Sequence, residues 1–311
     1  MISLLTTVFG VFGYIILGFV IKKINIISNK LLTYYNFISF NLLLPIALII
    51  NFWNITLPKL IIHELMITFF GAGIIIFLFG FYISKKFFYF KTDDSALFGL
   101  GACFGNSVAF GIPLMYSILG PVDAMPYMIL VLFHGLIHFT YTTVIIEGYR
   151  NRSLPNIKLV LKTIIGLLKN VILFGMFVGI FLNISNISIP YTVGLILIPL
   201  SKIALPSVLI SLGIALGGFK INYNISHSLV LTVLKNFFQP AIAFIIAKYI
   251  FNMPHLLIVI VTIAAALPSG SQTYYFSYRY NSLQQTITSN IVLSTFVSFF
   301  TLSFLIKIFG Y

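Results

Sequence analysis

The chain has 311 residues, of which 60% are hydrophobic and only 7% charged, with a mean hydropathy of +1.10 and a formal charge of +13. Soluble domains carry about 25% charged residues, so this composition excludes a water-soluble protein and predicts an integral membrane protein. The basic residues occupy short loops between apolar runs, a pattern that membrane insertion produces, so no nucleic-acid partner is expected. A single cysteine, Cys103, excludes an internal disulfide and a multi-cysteine metal site, and we expect no cofactor.

Apolar segments follow one another along the whole chain, each long enough for a helix to cross a hydrocarbon core of about 30 Å. Helices are favoured because each satisfies its own backbone hydrogen bonds inside lipid, and the alternating pattern of membrane strands is missing. The sequence therefore predicts an all-α polytopic membrane protein of the cell membrane, with about ten transmembrane helices. The predicted spans are 3–21, 31–53, 60–84, 95–119, 123–147, 170–186, 190–217, 229–251, 254–280 and 284–308.

Lysine and arginine are unevenly divided between the two sides of the predicted bilayer. The crowded side should be cytoplasmic, which places both termini outside. Its largest loop, 150–169, carries apolar residues at helical spacing beside lysines, which indicates either an amphipathic helix on the inner leaflet or an early start of the sixth span. The crowded side carries Lys22, Lys23, Lys30, Lys85, Lys86, Lys91, Arg150, Arg152, Lys158, Lys162, Lys169, Lys220 and Arg279, and the opposite side Lys59, Lys248 and Lys307.

Short sequences recur at an offset close to half the chain. Phe9-Gly10 in the first span matches Phe174-Gly175 in the sixth, and Leu44-Pro45 in the second matches Leu205-Pro206 in the seventh. Each half then holds five spans, and an odd number inverts the second half relative to the first. Inverted repeats are typical of secondary transporters. We therefore predict two five-helix repeats, 1–149 and 170–311, joined by the cytoplasmic loop 150–169.

The fourth and ninth spans are each interrupted near the middle by residues that weaken helices. The fourth contains Gly105, Gly111 and Pro113, and the ninth contains Pro268 and Gly270. Unwound backbone at that depth is tolerated where it lines a water-filled cavity, and a helix that restarts there offers free N–H groups to a carboxylate. A kink used only for packing is the alternative. Because interruptions occur at matching places in both halves, a binding site is favoured over a packing kink.

Both interrupted segments resemble motifs of the auxin efflux carrier family, which includes plant transporters and bacterial organic-acid permeases. The run Asn106-Ser107-Val108-Ala109-Phe110-Gly111-Ile112-Pro113-Leu114 is similar to the family's N-T-x-x-x-G-I-P-L stretch. The run Ala266-Leu267-Pro268-Ser269-Gly270, followed by Tyr280-Asn281, is similar to its A-L-P-x-G … Y-N stretch. The resemblance covers essentially the whole chain.

The resemblance implies an NhaA-like fold in which the broken fourth and ninth helices cross at the substrate site. It further implies an elevator-type cycle, with spans three to five and eight to ten moving against spans one, two, six and seven, in a homodimer. Asn106 would hold the substrate carboxylate and Pro268 would shape the second break. Gly105 stands where plant members often have proline, and the loop between the halves is short. A small carboxylate such as malate is therefore a better candidate than auxin.

Six polar side chains are predicted to bind the substrate. An amide can donate to a carboxylate beside the N–H groups of the restarting helix, and hydroxyls from the other half complete a polar cup in a wet cavity. A lysine near the middle of a span suggests function by default, as a partner of the anion or of a carboxylate. The predicted residues are Asn106, Ser107, Ser269, Ser271, Gln272 and Lys202.

Other polar residues in the spans favour structural roles. Lys235 is expected to extend to the nearby cytoplasmic surface. His134 and His138 have the spacing of metal ligands, but no cysteine or carboxylate completes a site, so hydrogen bonding within the bundle is favoured.

All acidic residues lie near span ends, which disfavours cation exchange and leaves uniport, anion exchange and proton symport open. An intramembrane hydrolase or a non-transporting sensor that uses the same cavity is the alternative function. We interpret the chain as a transporter and not as an enzyme.

Overall fold

A computed structural model describes residues 2–25, 27–53, 62–151, 161, 165–166, 171–219 and 225–311. These residues are almost entirely helical, and the only strand-like pairing among them is a single bridge described below. The predicted all-α class is confirmed. Most of the connecting loop 150–169, with its predicted amphipathic helix, lies outside the described residues.

The helices of the described residues are numbered here in chain order. The fourth predicted span corresponds to α4 and α5, and the ninth to α10 and α11. The helices are α1 Ile2–Ile24, α2 Asn29–Trp53, α3 Ile62–Phe87, α4 Thr92–Cys103, α5 Ser107–Asp123, α6 Met125–Asn151, α7 Val171–Ile184, α8 Tyr191–Gly218, α9 Ile225–Ile250, α10 His255–Ala266, α11 Gln272–Tyr280 and α12 Gln284–Ile308.

Six of these helices are long and apolar enough to cross a membrane, within the part of the chain that the structure describes. They are α2, α3, α6, α8, α9 and α12. Shorter apolar helices lie in α5, α7 and α10. Many apolar side chains of these helices are exposed on the protein surface. In a membrane protein such side chains face lipid. The protein is therefore a multi-pass membrane protein.

The chain divides into two compact units. Unit 1 consists of Met1–Lys59, Ile112–Met125 and Ile165–Gly218, and so contains α1, α2, α7, α8 and most of α5. Unit 2 consists of Leu60–Gly111, Pro126–Ile164 and Phe219–Tyr311, and contains α3, α4, α6 and α9 to α12. The first turn of α5 belongs to unit 2 and its remainder to unit 1. The fourth span is thus shared between the units instead of lying within one of them.

In unit 1, α1 and α8 pack so closely that each needs a glycine at the contact. A Cβ on Gly18 would lie 2.0 Å from the carbonyl oxygen of Ile210, and a Cβ on Gly213 would lie 1.9 Å from that of Ile15. Both neighbours are backbone atoms, which cannot rotate away as a side chain can. The two helices therefore interlock reciprocally through glycine, the arrangement that small residues allow in membranes.

A second close contact in unit 1 joins α7 to α2. A Cβ on Gly175 would lie 2.9 Å from the carbonyl oxygen of Pro45, and one on Gly179 would lie 2.8 Å from that of Ile49. These glycines are four residues apart and face α2 as a single small-residue stripe. Gly175 and Pro45 both belong to the recurring motifs of the sequence.

In unit 2, α9 and α12 are joined by a ladder of hydrogen bonds donated by polar side chains of α9, which are spaced four residues apart and so lie on one face of that helix. The acceptors on α12 are two backbone carbonyls and one side chain, and the ladder continues towards the break between α10 and α11. Its bonds run from Ser228 Oγ to Thr286 O at 2.9 Å, from Thr232 Oγ1 to Asn290 Oδ1 at 3.0 Å and from Asn236 Nδ2 to Ser294 O at 3.2 Å.

One end of unit 2 is fastened by Arg150, near the end of α6. Its Nε donates to Asp93 Oδ2 at 3.0 Å and a terminal nitrogen donates to the carbonyl of Tyr280 at 3.0 Å. Asp93 lies in the first turn of α4 and Tyr280 ends α11, so one guanidinium joins three helices and caps a helix C-terminus. Nearby, Ser282 donates to Asp94.

Candidate functional site

The predicted breaks in the fourth and ninth spans are confirmed, and they pair with each other. α4 ends at Cys103 and α5 begins at Ser107, whereas α10 ends at Ala266 and α11 begins at Gln272. The extended segments between them, 104–106 and 267–271, are called the crossover below. Both segments belong to unit 2.

Backbone hydrogen bonds hold the two segments of the crossover together. Asn106 N donates to Pro268 O at 2.7 Å, and Gly270 N donates to Phe104 O at 2.9 Å. These bonds flank an antiparallel bridge between Gly105 and Ser269. These two bonds satisfy four of the backbone groups that the breaks free, as apolar surroundings favour.

The glycines of the crossover have different packing requirements. A Cβ on Gly270 would lie 2.7 Å from the Phe104 ring and 2.9 Å from the carbonyl oxygen of Gly105, so no larger residue fits. A Cβ on Gly111, at the start of α5, would lie 1.8 Å from the Tyr127 hydroxyl. That hydroxyl donates to the carbonyl of Ser107 at 2.6 Å. A Cβ on Gly105 would meet nothing closer than 3.5 Å.

Asn106 is the polar group of the crossover that lacks partners. Its side chain is 1% exposed, and neither its amide nitrogen nor its amide oxygen has a hydrogen-bond partner among the described residues. Its backbone carbonyl, in contrast, accepts from Phe110 N and Gly111 N. An unpaired buried amide costs about 1–3 kcal/mol, which makes Asn106 a candidate for contact with a ligand.

The prediction of a wet cavity around Asn106 is wrong for this conformation, because the side chain is enclosed by other residues. Phe104 stacks at 4.2 Å between ring centroids on His134, whose Nε2 lies 3.1 Å from the carbonyl oxygen of Gly105. His138 Nδ1 lies 2.9 Å from the carbonyl oxygen of His134. The predicted hydrogen-bonding role of the two histidines is confirmed, and these rings shield the crossover from water.

The predicted serines of the crossover make internal hydrogen bonds. Ser269 is fully buried, and its hydroxyl donates to Gly101 O at 3.3 Å and accepts from Asn290 Nδ2 at 3.0 Å. Its backbone N–H donates to Ser294 Oγ at 2.9 Å. The Ser107 hydroxyl donates to Gly105 O at 3.2 Å. Ser269 is thus held by α12 at the end of the polar ladder.

Ser271 and Gln272 lie at the start of α11, where both are partly buried. The Gln272 amide oxygen is buried and has no hydrogen-bond partner among the described residues. Gln272 therefore resembles Asn106 in offering an unpaired polar atom beside the crossover.

Lys202 and Pro113 belong to unit 1, unlike the other predicted site residues. The Lys202 side chain is exposed and lines a cavity of about 430 Å³ together with Tyr14, Pro113 and Ser117. The two units hold these groups separately, so the predicted set is divided between them.

Lys235 lies at the crossover, and its predicted extension to the cytoplasmic surface is wrong. The side chain is 0% exposed, and Nζ donates to the carbonyl oxygen of Ala265 at 2.5 Å. Its Cε and Nζ both lie 3.5 Å from the position that a Cβ on Gly105 would take. Lys235 sits in a π-helical turn of α9, Leu234–Phe238, a distortion frequent at functional sites.

The comparison with protein families gives one match over nearly the whole chain. A family model described as membrane transport protein covers residues 3–306. The chain belongs to this membrane transport family. It is the family of the auxin efflux carriers that the two motifs resemble. The comparison with curated proteins finds no match.

In this membrane transport protein, the polar groups at the crossover that sequence reasoning missed lie on helices away from the breaks. Lys235 and Asn290 reach the crossover from α9 and α12. One signal was present in the sequence. Lys235, Asn236 and Gln239 place three polar residues within five positions of an apolar span, and all three are buried. Such a cluster is better explained by a polar interior than by a lysine extended to the surface.

Proposed function

We propose that this membrane transport protein carries a small organic anion, a carboxylate, that binds at the crossover in unit 2. The observation that carries the proposal is the unpaired, buried amide of Asn106 beside two paired helix breaks. A carboxylate oxygen accepts from an amide N–H, and the first turn of α5 adds further N–H donors with a favourable dipole. Ser107, Ser271 and Gln272 are the other groups within the same two segments that the substrate would contact.

The charge at the crossover favours an anion over a cation. Lys235 brings an ammonium beside Gly105. All five acidic residues of the chain are described, and each lies in the first or last few residues of a helix. An acidic group near the breaks would favour a cation, whereas a carboxylate would pair with the ammonium of Lys235.

Reciprocal packing in unit 1 supports an inverted repeat of two five-helix halves. If the halves 1–149 and 170–311 are equivalent, the contact of α1 with α8 corresponds to that of α7 with α2. Both contacts exist, and both depend on glycines against backbone atoms. The recurring motifs lie on these four helices. Phe9-Gly10 on α1 matches Phe174-Gly175 on α7, and Leu44-Pro45 on α2 matches Leu205-Pro206 on α8. Ten spans in this arrangement remain part of the proposal.

The division into two units supports an elevator-type cycle. Unit 2 contains the whole crossover and is fastened internally by the polar ladder and by Arg150, as a body that moves with its substrate would be. Unit 1 contains the four helices that the family resemblance assigns to a static, dimer-forming scaffold. The remainder of α5, which clusters with unit 1, would act as the connection between the two bodies.

Counterflow in proteoliposomes tests the function. Vesicles loaded with an unlabelled mono- or dicarboxylate are diluted into buffer that contains the same compound in labelled form. We expect transient uptake of label with at least one small carboxylate, and for Asn106→Ala a comparable uptake only at about tenfold to a hundredfold higher substrate concentration. Asn41→Ala is the matched control, because Asn41 is exposed on α2 and donates to Phe37 O. Binding of carboxylates without counterflow would identify a sensor instead, and counterflow of inorganic cations alone would refute the proposal.

The orientation follows from the charge bias, and we propose that both termini lie outside. Lys86→Cys at the end of α3 should then be protected from an impermeant thiol reagent added to whole cells, whereas Tyr191→Cys at the start of α8 should react. Both side chains are exposed, and the one native cysteine is buried, so labelling reports sidedness. The reverse pattern would invert the assignment.

A further inference from the structure

Lys235 places its amino group in the interior of unit 2 without an acidic partner. The residues that the structure describes include no salt bridge to it, and its recorded hydrogen bond is the one to Ala265 O. An ammonium has three N–H donors, and burying a charge costs several kcal/mol unless it is paired. A charged Lys235 therefore requires other groups at this position that attract a cation.

The attraction comes from the C-terminal ends of the half-helices. The last four carbonyl groups of a helix lack partners within it and carry about half a negative charge together. α10 ends at Ala266, and the Ala265 carbonyl that binds Lys235 lies in its last turn.

Three other carbonyls at and beside the end of α4 already accept hydrogen bonds. Gly101 O accepts from Asn290 and Ser269, Leu100 O accepts from Phe104 N, and the Gly105 oxygen accepts from Ser107 and lies 3.1 Å from His134 Nε2. At the end of α10 the Lys235 amino group plays the same part for the carbonyl of Ala265.

Carbonyls at unwound helix ends are the groups with which secondary transporters coordinate Na⁺ or a proton. We infer that Lys235 is a built-in cation of the crossover: its ammonium occupies the place among the half-helix carbonyls that a coupling Na⁺ would take. Transport, which rests on the proposed function, then needs no dissolved cation. Whether the Lys235 ammonium fills this position can be measured on the folded protein without substrate.

A built-in cation differs from Na⁺ in that it cannot leave. The remaining N–H groups of the ammonium stay available to a bound anion, so the crossover is positively charged when empty and neutral when it holds a monocarboxylate. In a symporter, Na⁺ neutralises the charge of the bound anion. Here the ammonium of Lys235, which is covalently attached to the protein, would do so. The substrate and the ammonium would then bind each other directly at the helix break.

The test measures the thermal unfolding midpoint of the purified protein in chloride salts of sodium, potassium, choline and ethylammonium at equal ionic strength. The wild-type midpoint should be the same in all four salts, because the position is filled. Lys235→Ala removes the ammonium and leaves space, so sodium or ethylammonium should raise its midpoint above that in choline by about 2–4 °C. Lys248→Ala, on the same helix but exposed, should show no difference between cations.

Two further measurements complete the design. Lys235→Met fills the space without a charge, so its midpoint should not respond to cations. Wild-type counterflow should be unchanged when choline replaces sodium, and this measurement does not require Lys235→Ala to fold. A wild-type midpoint or counterflow rate that rises with sodium, or a folded Lys235→Ala indifferent to every cation, would overturn the built-in cation. Cation rescue of Lys235→Ala without counterflow of any carboxylate would leave it standing and refute the proposed substrate.

Discussion

Asn106→Ala is expected to lower the affinity for the transported carboxylate by about tenfold to a hundredfold while leaving the unfolding temperature close to that of wild type. The loss corresponds to one charge-assisted hydrogen bond, about 1–3 kcal/mol. Stability should be kept because the amide has no hydrogen-bond partner among the described residues, so its removal breaks no internal bond. Isothermal titration of purified, monodisperse protein gives the affinity, and differential scanning calorimetry gives the unfolding temperature.

Asn290→Ala is the matched control, since both asparagines are buried in unit 2. Asn290 donates to Gly101 O and to Ser269 Oγ, each at 3.0 Å, and accepts from Thr232 at 3.0 Å. Its loss leaves these groups unpaired and should lower the unfolding temperature by about 4–8 °C, for about 2 kcal/mol in a chain of this size. If Asn106→Ala lost as much stability as Asn290→Ala with unchanged affinity, Asn106 would be a structural residue and the site would lie elsewhere.

Gly213→Ala is expected to destabilise unit 1 severely, although it adds a single methyl group. The added Cβ would lie 1.9 Å from Ile15 O and 2.8 Å from Phe19 N, so α1 and α8 must separate along their contact. Overpacking costs about 1–3 kcal/mol where side chains can adjust, and more is expected against backbone. Gly18→Ala, on the opposite side of the same contact, should behave alike. The measurement is the fraction of monodisperse protein recovered, followed by its unfolding temperature.

Gly13→Ala provides the contrast on α1 itself. Nothing lies within 4 Å of a Cβ at that position, so the substitution meets open space and gains helix propensity of up to about 1 kcal/mol. The two glycines should therefore respond with opposite signs to the same change. Equal tolerance of Gly13→Ala and Gly213→Ala would mean that α1 and α8 do not touch as described, and the support for an inverted repeat would be lost with that contact.

The helical class and the position of both breaks could be predicted because they depend on local chemistry. Long apolar runs demand helices, and Gly105, Gly111, Pro113, Pro268 and Gly270 interrupt two of them. These effects act over a few residues and need no knowledge of neighbouring helices. The crossing of the two breaks came instead from the family resemblance, because no local pattern indicates which broken helices meet.

The depth of Lys235 along its span does not fix the direction of its side chain, and the sequence indicates a buried position only through the neighbouring Asn236 and Gln239. At ten residues from the start of α9, the lysine is near enough to the surface to extend there, and a rotation of the helix decides whether it does. The π-helical turn at Leu234–Phe238 changes that rotation locally, and the sequence carries no clear signal for it.

Asn106 and Ser269 are equivalent in the sequence, because each lies in a helix break. In the structure they differ in whether their side chains have hydrogen-bond partners. The partners that engage Ser269, Asn290 and Ser294, come from α12, more than twenty residues later. Whether a polar group at a break is free or engaged depends on such distant helices. The division of the fourth span between the two units has the same cause, since it reflects the packing of α5 and not its composition.

The rate at which Cys103 is alkylated can report how often the crossover opens. Cys103 is the last residue of α4, fully buried, with Sγ 3.4 Å from the Tyr141 hydroxyl, and it is the only thiol in the chain. A small alkylating reagent can therefore reach a thiol only during the moments when the closed arrangement is broken. The rate of modification of the unaltered protein, read by mass spectrometry, measures how often that happens. Compounds that hold the crossover closed would slow the reaction, so the same rate would reveal a ligand before any label for it exists.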